Sequence, residues 1–388
     1  MVFYCMEDSG GWLQGIHYFR AIAIIEIVTF HVVGVGALAP NPLWITVALR
    51  AFTSFGVPHF IFISGVVLYN KYNNGFSLSA FYKRRFNAVV PPYLVWSTFY
   101  FAVYYVVPTV YTFILHLPTV HGSNQSVVTL ASTYLEVLIV GYQFLWFVPV
   151  LIQLYLLYPL LEKMYARTTR QNSQIYILSF LLLAQISYVS LTAAFSSQLV
   201  GSYLSILFLS YVFYFVLGFF IARHYEAMKQ RVATFSLKSI SLMVLASTIY
   251  YSIVYYHAVL SSPAPPYYTL LSVVTGPFYC LVLILFYLRI STTWQEPRGF
   301  FLSHLEKIGE DSFGIFLVHW FFVGTFTLVL FTLGLSAHNL ILYPVLFVLT
   351  LISSYLTVQA LYRLPISNII IGKPRKRAEN PTAASKKA

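Results

Sequence analysis

The chain has 388 residues, of which 59% are hydrophobic, 19% aromatic and only 9% charged, with a formal net charge of +12. That balance is far from a soluble globular average and fits a membrane protein. The excess charge implies no nucleic acid partner, because Lys and Arg gather in alternate loops between apolar runs and in the last residues.

A span needs about 20 apolar residues, and by that measure the pattern predicts an all-α polytopic bundle of about ten transmembrane helices. They fall near 16–38, 46–69, 88–108, 142–162, 174–194, 203–222, 238–259, 268–290, 312–334 and 339–362. There is no internal repeat, and no Gly/Pro-broken pair of spans of the kind that marks many transporters is evident. Around this ten-helix domain, 16–363, lie a short N-terminal segment, 1–15, and a basic tail, 364–388.

One set of alternate loops holds Lys71, Lys83, Arg84, Arg85, then Lys163, Arg167, Arg170, then Arg223, Lys229 and Arg231. It continues with Arg298, Lys307 and the tail residues Lys373, Arg375, Lys376 and Arg377. The other set, near 39–45, 109–141, 195–202, 260–267 and 335–338, has no Lys or Arg. Positive-inside bias then predicts both termini in the cytoplasm, and the expected location is the plasma (inner) membrane. The tail from Gly372 reads as a disordered basic strand lying near anionic membrane lipid. Ala37-Leu38-Ala39 looks like a signal-peptidase site, but the apolar run before it is long and Glu7 and Asp8 are acidic, so the first helix is expected to be retained. Cys5 and Cys280 are too few and too far apart for a metal site or a disulfide framework.

The first helix carries Arg20, ten intervening residues, then His31. Eleven steps of about 100° make roughly three turns plus 20° and rise about 16 Å, so both side chains leave nearly the same face near opposite ends of the span. Ionisable groups at membrane depth are costly and mark a site or a pathway. Glu26 points about 140° away from His31 and is expected to pair within the bundle, with Arg50 as partner. The second helix runs back, which puts Arg50 and Ser54 at the depth of His31. These groups are expected in one outward cavity, with Arg20 and His319 together in the inner half.

The stretch His17-Tyr-Phe-Arg20-Ala-Ile-Ala-Ile-Ile-Glu-Ile-Val-Thr-Phe-His31 resembles the opening helix of the acyltransferase family 3 membrane proteins, which carry an arginine, ten residues, then a histidine. Gly56-Val-Pro-His-Phe60-Ile-Phe-Ile-Ser64-Gly65 is similar to the next motif of that family, and Phe81-Tyr-Lys83-Arg84-Arg85 with Pro91-Pro92-Tyr93 to its basic loop and third helix. Leu145-Trp146-Phe147 with Tyr155 and Pro159, and Ser312-Phe313-Gly314-Ile-Phe-Leu-Val-His319, follow in the same order. Ala88 stands where a second arginine is usual, and His59 where an apolar residue is usual.

The resemblance implies transfer of an acyl group, most often acetyl, from cytoplasmic acyl-CoA (acetyl-CoA) to a hydroxyl of an exoplasmic carbohydrate or lipid-linked glycan. Acyl-CoA is then a donor substrate, with no permanently bound cofactor and no metal expected. In that chemistry His31 is the general base, a role that contributes typically 10²–10⁴-fold, or a transient acyl carrier; the bland reading is a histidine bonded across helices. Arg20 either steers a phosphate or polarises the thioester carbonyl, or snorkels to the interface. Lys83, Arg84 and Arg85, with His319, are candidates for binding acyl-CoA, although topology alone explains the three cations.

Arg50, Glu26, Ser54, His59, Trp146 and Tyr155 are candidates to bind or support the acceptor, against plain packing for the two aromatics. Ser64-Gly65 suits close helix approach. The segment 109–141, with His116, His121, Gly122, Asn124 and Gln125, is expected to cover the acceptor or to be an inert linker. Some relatives carry a further soluble domain; here a short tail follows Arg363, so the membrane unit does the whole job or hands its product to a separate partner protein. The rival reading is a non-catalytic lipid or glycan transporter or flippase, which a His31→Ala preparation separates from an enzyme.

Overall fold

In lipid every backbone polar group needs a partner inside its own segment, which leaves an apolar chain little choice but helix. A computed structural model describes residues 12–37, 39, 41–73, 75–106, 127–194, 203–261, 270–293 and 299–374. Among these the chain is all helix and short turn, with no strand. In order the helices are α1 (Trp12–Ala37), α2 (Trp44–Phe52), α3 (Gly56–Tyr72), α4 (Leu78–Phe101), α5 (Val127–Val140), α6 (Phe147–Ala166), α7 (Gln171–Ala194) and α8 (Val212–Arg223). They continue with α9 (Tyr225–Ala233), α10 (Leu237–Ser261), α11 (Leu270–Ser291), α12 (Phe300–Glu310), α13 (Ser312–Thr332), α14 (Leu342–Leu361) and α15 (Ser367–Ile371).

Eight stretches of the described chain are helical, long and apolar enough to cross a membrane. The third and sixth expected spans take other forms. The third is α4, which starts ten residues earlier than expected because Ser77 caps it, accepting from the Ala80 amide. Lys83, Arg84 and Arg85 therefore lie on a helix and not in a loop. The sixth is the short α8, preceded by a tight turn at Phe208–Ser210. The expected loop 109–141 contains the helix α5; its histidines, His116 and His121, with Gly122, Asn124 and Gln125, lie outside the described residues. So do Cys5, Glu7, Asp8, Leu38, Arg298 and the tail from Arg375 on.

The second span is broken, contrary to the sequence reading. Residues 53–55 leave the helix between α2 and α3. Their own side chains occupy the local carbonyls: Thr53 Oγ1 donates to the Leu49 carbonyl at 2.8 Å and Ser54 Oγ to the Ala51 carbonyl at 2.7 Å. Hydroxyls that bond back in this way compete with the helix ladder. Non-helical backbone at membrane depth is tolerated where it lines a cavity, and this break does.

Helix α1 is the hub, packing against α2, α3, α12, α13 and α14. Helices α3 and α8 meet through paired glycines. A Cβ at Gly65 would stand 2.0 Å from the Phe215 carbonyl oxygen, and one at Gly218 would stand 2.4 Å from that of Phe62. The small residue after Ser64 thus lets two backbones touch, as such residues do in membrane bundles.

The start of the tail is docked. Trp96 Nε1 donates to the Ile370 carbonyl at 2.9 Å, and Lys373 Nζ reaches Asp311 Oδ1 at 3.0 Å and the Glu310 carbonyl. Burial pushes the Lys373 ammonium below the usual lysine range, while Asp311 opposes that shift. Residues up to Lys373 are consequently part of the bundle, which differs from the expected free strand.

Candidate active site

The face shared by Arg20 and His31 is turned to α13. At one end Arg20, 4% exposed, donates from Nη2 to Ser312 Oγ at 3.0 Å. At the other the His31 and His319 rings lie 5.2 Å apart, centre to centre. The two contacts make α1 and α13 neighbours that run in the same direction.

Arg20 stands in the field of Asp311, Glu310, Tyr155 and Tyr362. Asp311, itself 3% exposed, accepts from Tyr362 at 2.7 Å as well as from Gln359 and Lys373. A second buried cation lies in the same neighbourhood. Arg85, 2% exposed, donates from Nη2 to the Tyr72 hydroxyl at 3.2 Å and sits over the Tyr72, Phe81 and Tyr155 rings at 5.2, 5.9 and 6.0 Å. Tyr155 feels both Arg85 and Arg20. Lys83 and Arg84, by contrast, are exposed. Within the basic triplet only Arg85 belongs to the interior.

His31 is half-buried and lines a cavity of about 500 Å³. Its walls come from α1, the break at 53–55 with the start of α3, the turn Gly141–Trp146, α7 and the segment before α8, with Phe316 of α13 and Tyr251 of α10. Ser54 and Trp146 line it too, and Trp146 stacks on Tyr211 at 5.6 Å. His319 is fully buried behind His31. Its Nδ1 lies 2.7 Å from the Phe316 carbonyl oxygen and must carry the proton there, because a carbonyl only accepts. Its Nε2 therefore presents a lone pair, and that atom has no partner. Phe144 at 5.0 Å from His319 and Trp320 at 4.9 Å from His31 wall the two imidazoles in.

A family model described as an acyltransferase domain matches residues 13–359. The chain belongs to acyltransferase family 3. No curated protein and no solved structure matches it significantly. As a member of that family it is a multi-pass membrane acyltransferase.

Four expected placements in the acyltransferase are different in the structure. Glu26 does not pair with Arg50. It accepts from the Tyr287 hydroxyl and lies 2.7 Å from His59 Nδ1, joining α1, α3 and α11. Its position well round the helix from His31 keeps it off the cavity wall. His59, expected near a ligand, gives its Nδ1 to that contact, is 3% exposed and does not line the cavity. Arg50 donates from Nε to the Tyr255 hydroxyl at 3.0 Å and stacks over Phe30 at 4.1 Å. Gly34 makes room for it, since a Cβ there would meet Arg50 Nη1 at 2.1 Å. Arg50 thus stands behind the cavity wall that Phe30 forms. His319, placed with Arg20 by depth counting, lies instead against His31.

Several partners were invisible in the sequence. Tyr287, Tyr255, Asp311 and Lys373 reach the site from helices remote in the chain, and no local spacing relates them to Arg20, Glu26 or Arg50. Tyr211 and Phe144 are two among many aromatics. Ser312 lies within a motif that the resemblance did pick out.

Proposed function

We propose that this acyltransferase takes an acyl group, acetyl in the simplest case, from acyl-CoA on the cytoplasmic side to a hydroxyl of an exoplasmic glycan or glycolipid. The observation that carries this reading is the common face of α1, where Arg20 bonds Ser312 and His31 opens into a cavity beside His319. The separation of about 16 Å along the helix suits a donor with phosphates at one end and a thioester at the other. The basic loops orient the Arg20 end toward the cytoplasm in this reading, and the location is the plasma (inner) membrane.

His31 takes the acceptor's O–H proton as the oxygen bonds the thioester carbon. The C–S bond then breaks, and the departing sulfur leaves as the thiol after taking up that proton. The neutral imidazole suits this task near neutral pH. The Nε2 lone pair of His319, unpartnered in the structure, is an acceptor that a protonated His31 reaches only by turning its ring, the two ring centres being 5.2 Å apart. Arg20 and the buried Arg85, flanking Tyr155, supply fixed charge for phosphates or for a developing oxyanion.

Comparing the mass of the surface glycan in cells with and without the protein tests the reading. One added acyl group per acceptor is expected, and an unchanged glycan contradicts it. A lipid or glycan transporter is the second reading, favoured by the break at residues 53–55. A transporter keeps its flux in His31→Ala, whereas an enzyme loses modification while remaining folded.

A further inference from the structure

We infer that the start of the C-terminal tail is a working part of the donor site, where Lys373 joins Arg20 and Arg85 and meets the phosphates at the nucleotide end of the donor. This rests on the acyl-CoA donor of the proposed function and adds a residue from the far end of the chain.

The tail is built to hold this lysine in place. Trp96 of α4 donates from Nε1 to the Ile370 carbonyl at 2.9 Å, Ile371 is 2% exposed and Ser367 is fully buried. Gly372 then turns the chain at φ +71°, and a Cβ there would stand 2.2 Å from the Ala88 carbonyl oxygen. Only glycine permits both that backbone and that approach. The residue it presents, Lys373, reaches Asp311, which is next in the chain to the Ser312 that bonds Arg20.

Positive charge is left over at this end. Arg20, Arg85 and Lys373 stand against Asp311 and Glu310, and His17 lies in the field of both Arg20 and Lys373. Uncompensated charge away from bulk water is costly, and an anionic guest offsets it. Donors are left over as well. Buried Arg85 Nε has no partner. An ammonium has three N–H groups, and for Lys373 the Asp311 carboxylate and the Glu310 carbonyl take two.

Depth orders the three cations. Lys373 keeps 20% of its side chain exposed, whereas Arg20 and Arg85 are 4% and 2% exposed. A donor that enters thioester first leaves its nucleotide end outermost, beside Lys373. Lysine binds a phosphate there as a point charge with a charge-assisted hydrogen bond.

Equilibrium binding to the full-length protein in phosphatidylcholine nanodiscs tests this. The probes are S-ethyl-CoA, a thioether that transfers nothing, and adenosine 3′,5′-bisphosphate, which has nucleotide phosphates without the pantetheine arm. Lys373→Gln should weaken both about tenfold and flatten the salt dependence of binding. Lys373→Arg should retain both affinities, and so should Lys307→Gln, which removes an exposed cation of α12. A second measurement needs no variant: either probe should shield the Lys373 amine of the unaltered protein from an amine-reactive label, read by mass spectrometry. Unchanged affinities in a folded Lys373→Gln overturn the inference, and so does unchanged labelling. A loss confined to S-ethyl-CoA overturns it too, because Lys373 would then act only through Arg20. A lysine effect seen only in phosphatidylglycerol nanodiscs assigns Lys373 to lipid phosphate and equally overturns it. Failure of the unaltered protein to bind S-ethyl-CoA removes the acyl-CoA reading itself.

Discussion

His31 and His319, on α1 and α13, hold their rings 5.2 Å apart while the Phe316 carbonyl fixes the proton of His319 on Nδ1. The remaining nitrogen of His319 can only accept and has no partner in the structure; in the proposed mechanism it positions a His31 that has gained a proton and turned toward it. Losing a hydrogen bond to a charged group costs about 1.5–3 kcal/mol. His319→Ala should therefore lower kcat by roughly 10–100-fold, with donor KM unchanged and partial rescue in His319→Gln. A raised donor KM at constant kcat would assign His319 to acyl-CoA binding instead.

Glu26 and His59 form a buried pair, 4% and 3% exposed, that ties α1 to α3, with Tyr287 adding α11. Removing one partner of such a pair strands the other and costs about 3–5 kcal/mol. Glu26→Leu and His59→Leu should each lower the detergent melting temperature sharply, and the double variant should recover much of the loss. Strictly additive losses would mean that the two side chains do not depend on one another.

Arg85 is buried over Tyr72, whereas Lys83 and Arg84 are exposed. Only a cation held in place gains much from a phosphate, because exposed charges are screened. Arg85→Gln should weaken acyl-CoA binding about tenfold or more, and Lys83→Gln with Arg84→Gln much less. Isothermal titration with a non-hydrolysable acyl-CoA analogue measures both. Equal effects would favour a diffuse electrostatic role for the whole triplet.

Gly65 and Gly218 set the contact between α3 and α8 through backbone approach, with no space for a Cβ. Gly65→Leu should reduce the yield of monodisperse protein on gel filtration several-fold, whatever its effect on catalysis. A well-folded Gly65→Leu protein would show that the two helices can separate without penalty.

The helical architecture was largely legible, because an apolar chain in lipid has few solutions and the alternate basic loops count the crossings. So was the shared face of Arg20 and His31, which helical geometry fixes from spacing alone. The depth of His319 was misplaced because counting from a helix end ignores how far α1 and α13 are offset. The Glu26–Arg50 pairing failed for a related reason: both groups had comparable depth, but His59 and Tyr287 lie on the side to which Glu26 points. The break at residues 53–55 is followed by Gly56 and by Pro58, which has no N–H to offer the Ser54 carbonyl four residues back. Thr53 and Ser54 bonding back to local carbonyls add to it, and that pattern is too common in spans to be read on its own.

The central claim is that His31 promotes transfer of an acyl group from one side of the membrane to the other. Inverted membrane vesicles given radiolabelled acetyl-CoA on their cytoplasmic face, with native acceptor glycan enclosed, test it most directly. The account predicts label in the enclosed glycan with the unaltered protein and at least a hundredfold less with a folded, inserted His31→Ala. Undiminished labelling in that variant would contradict it.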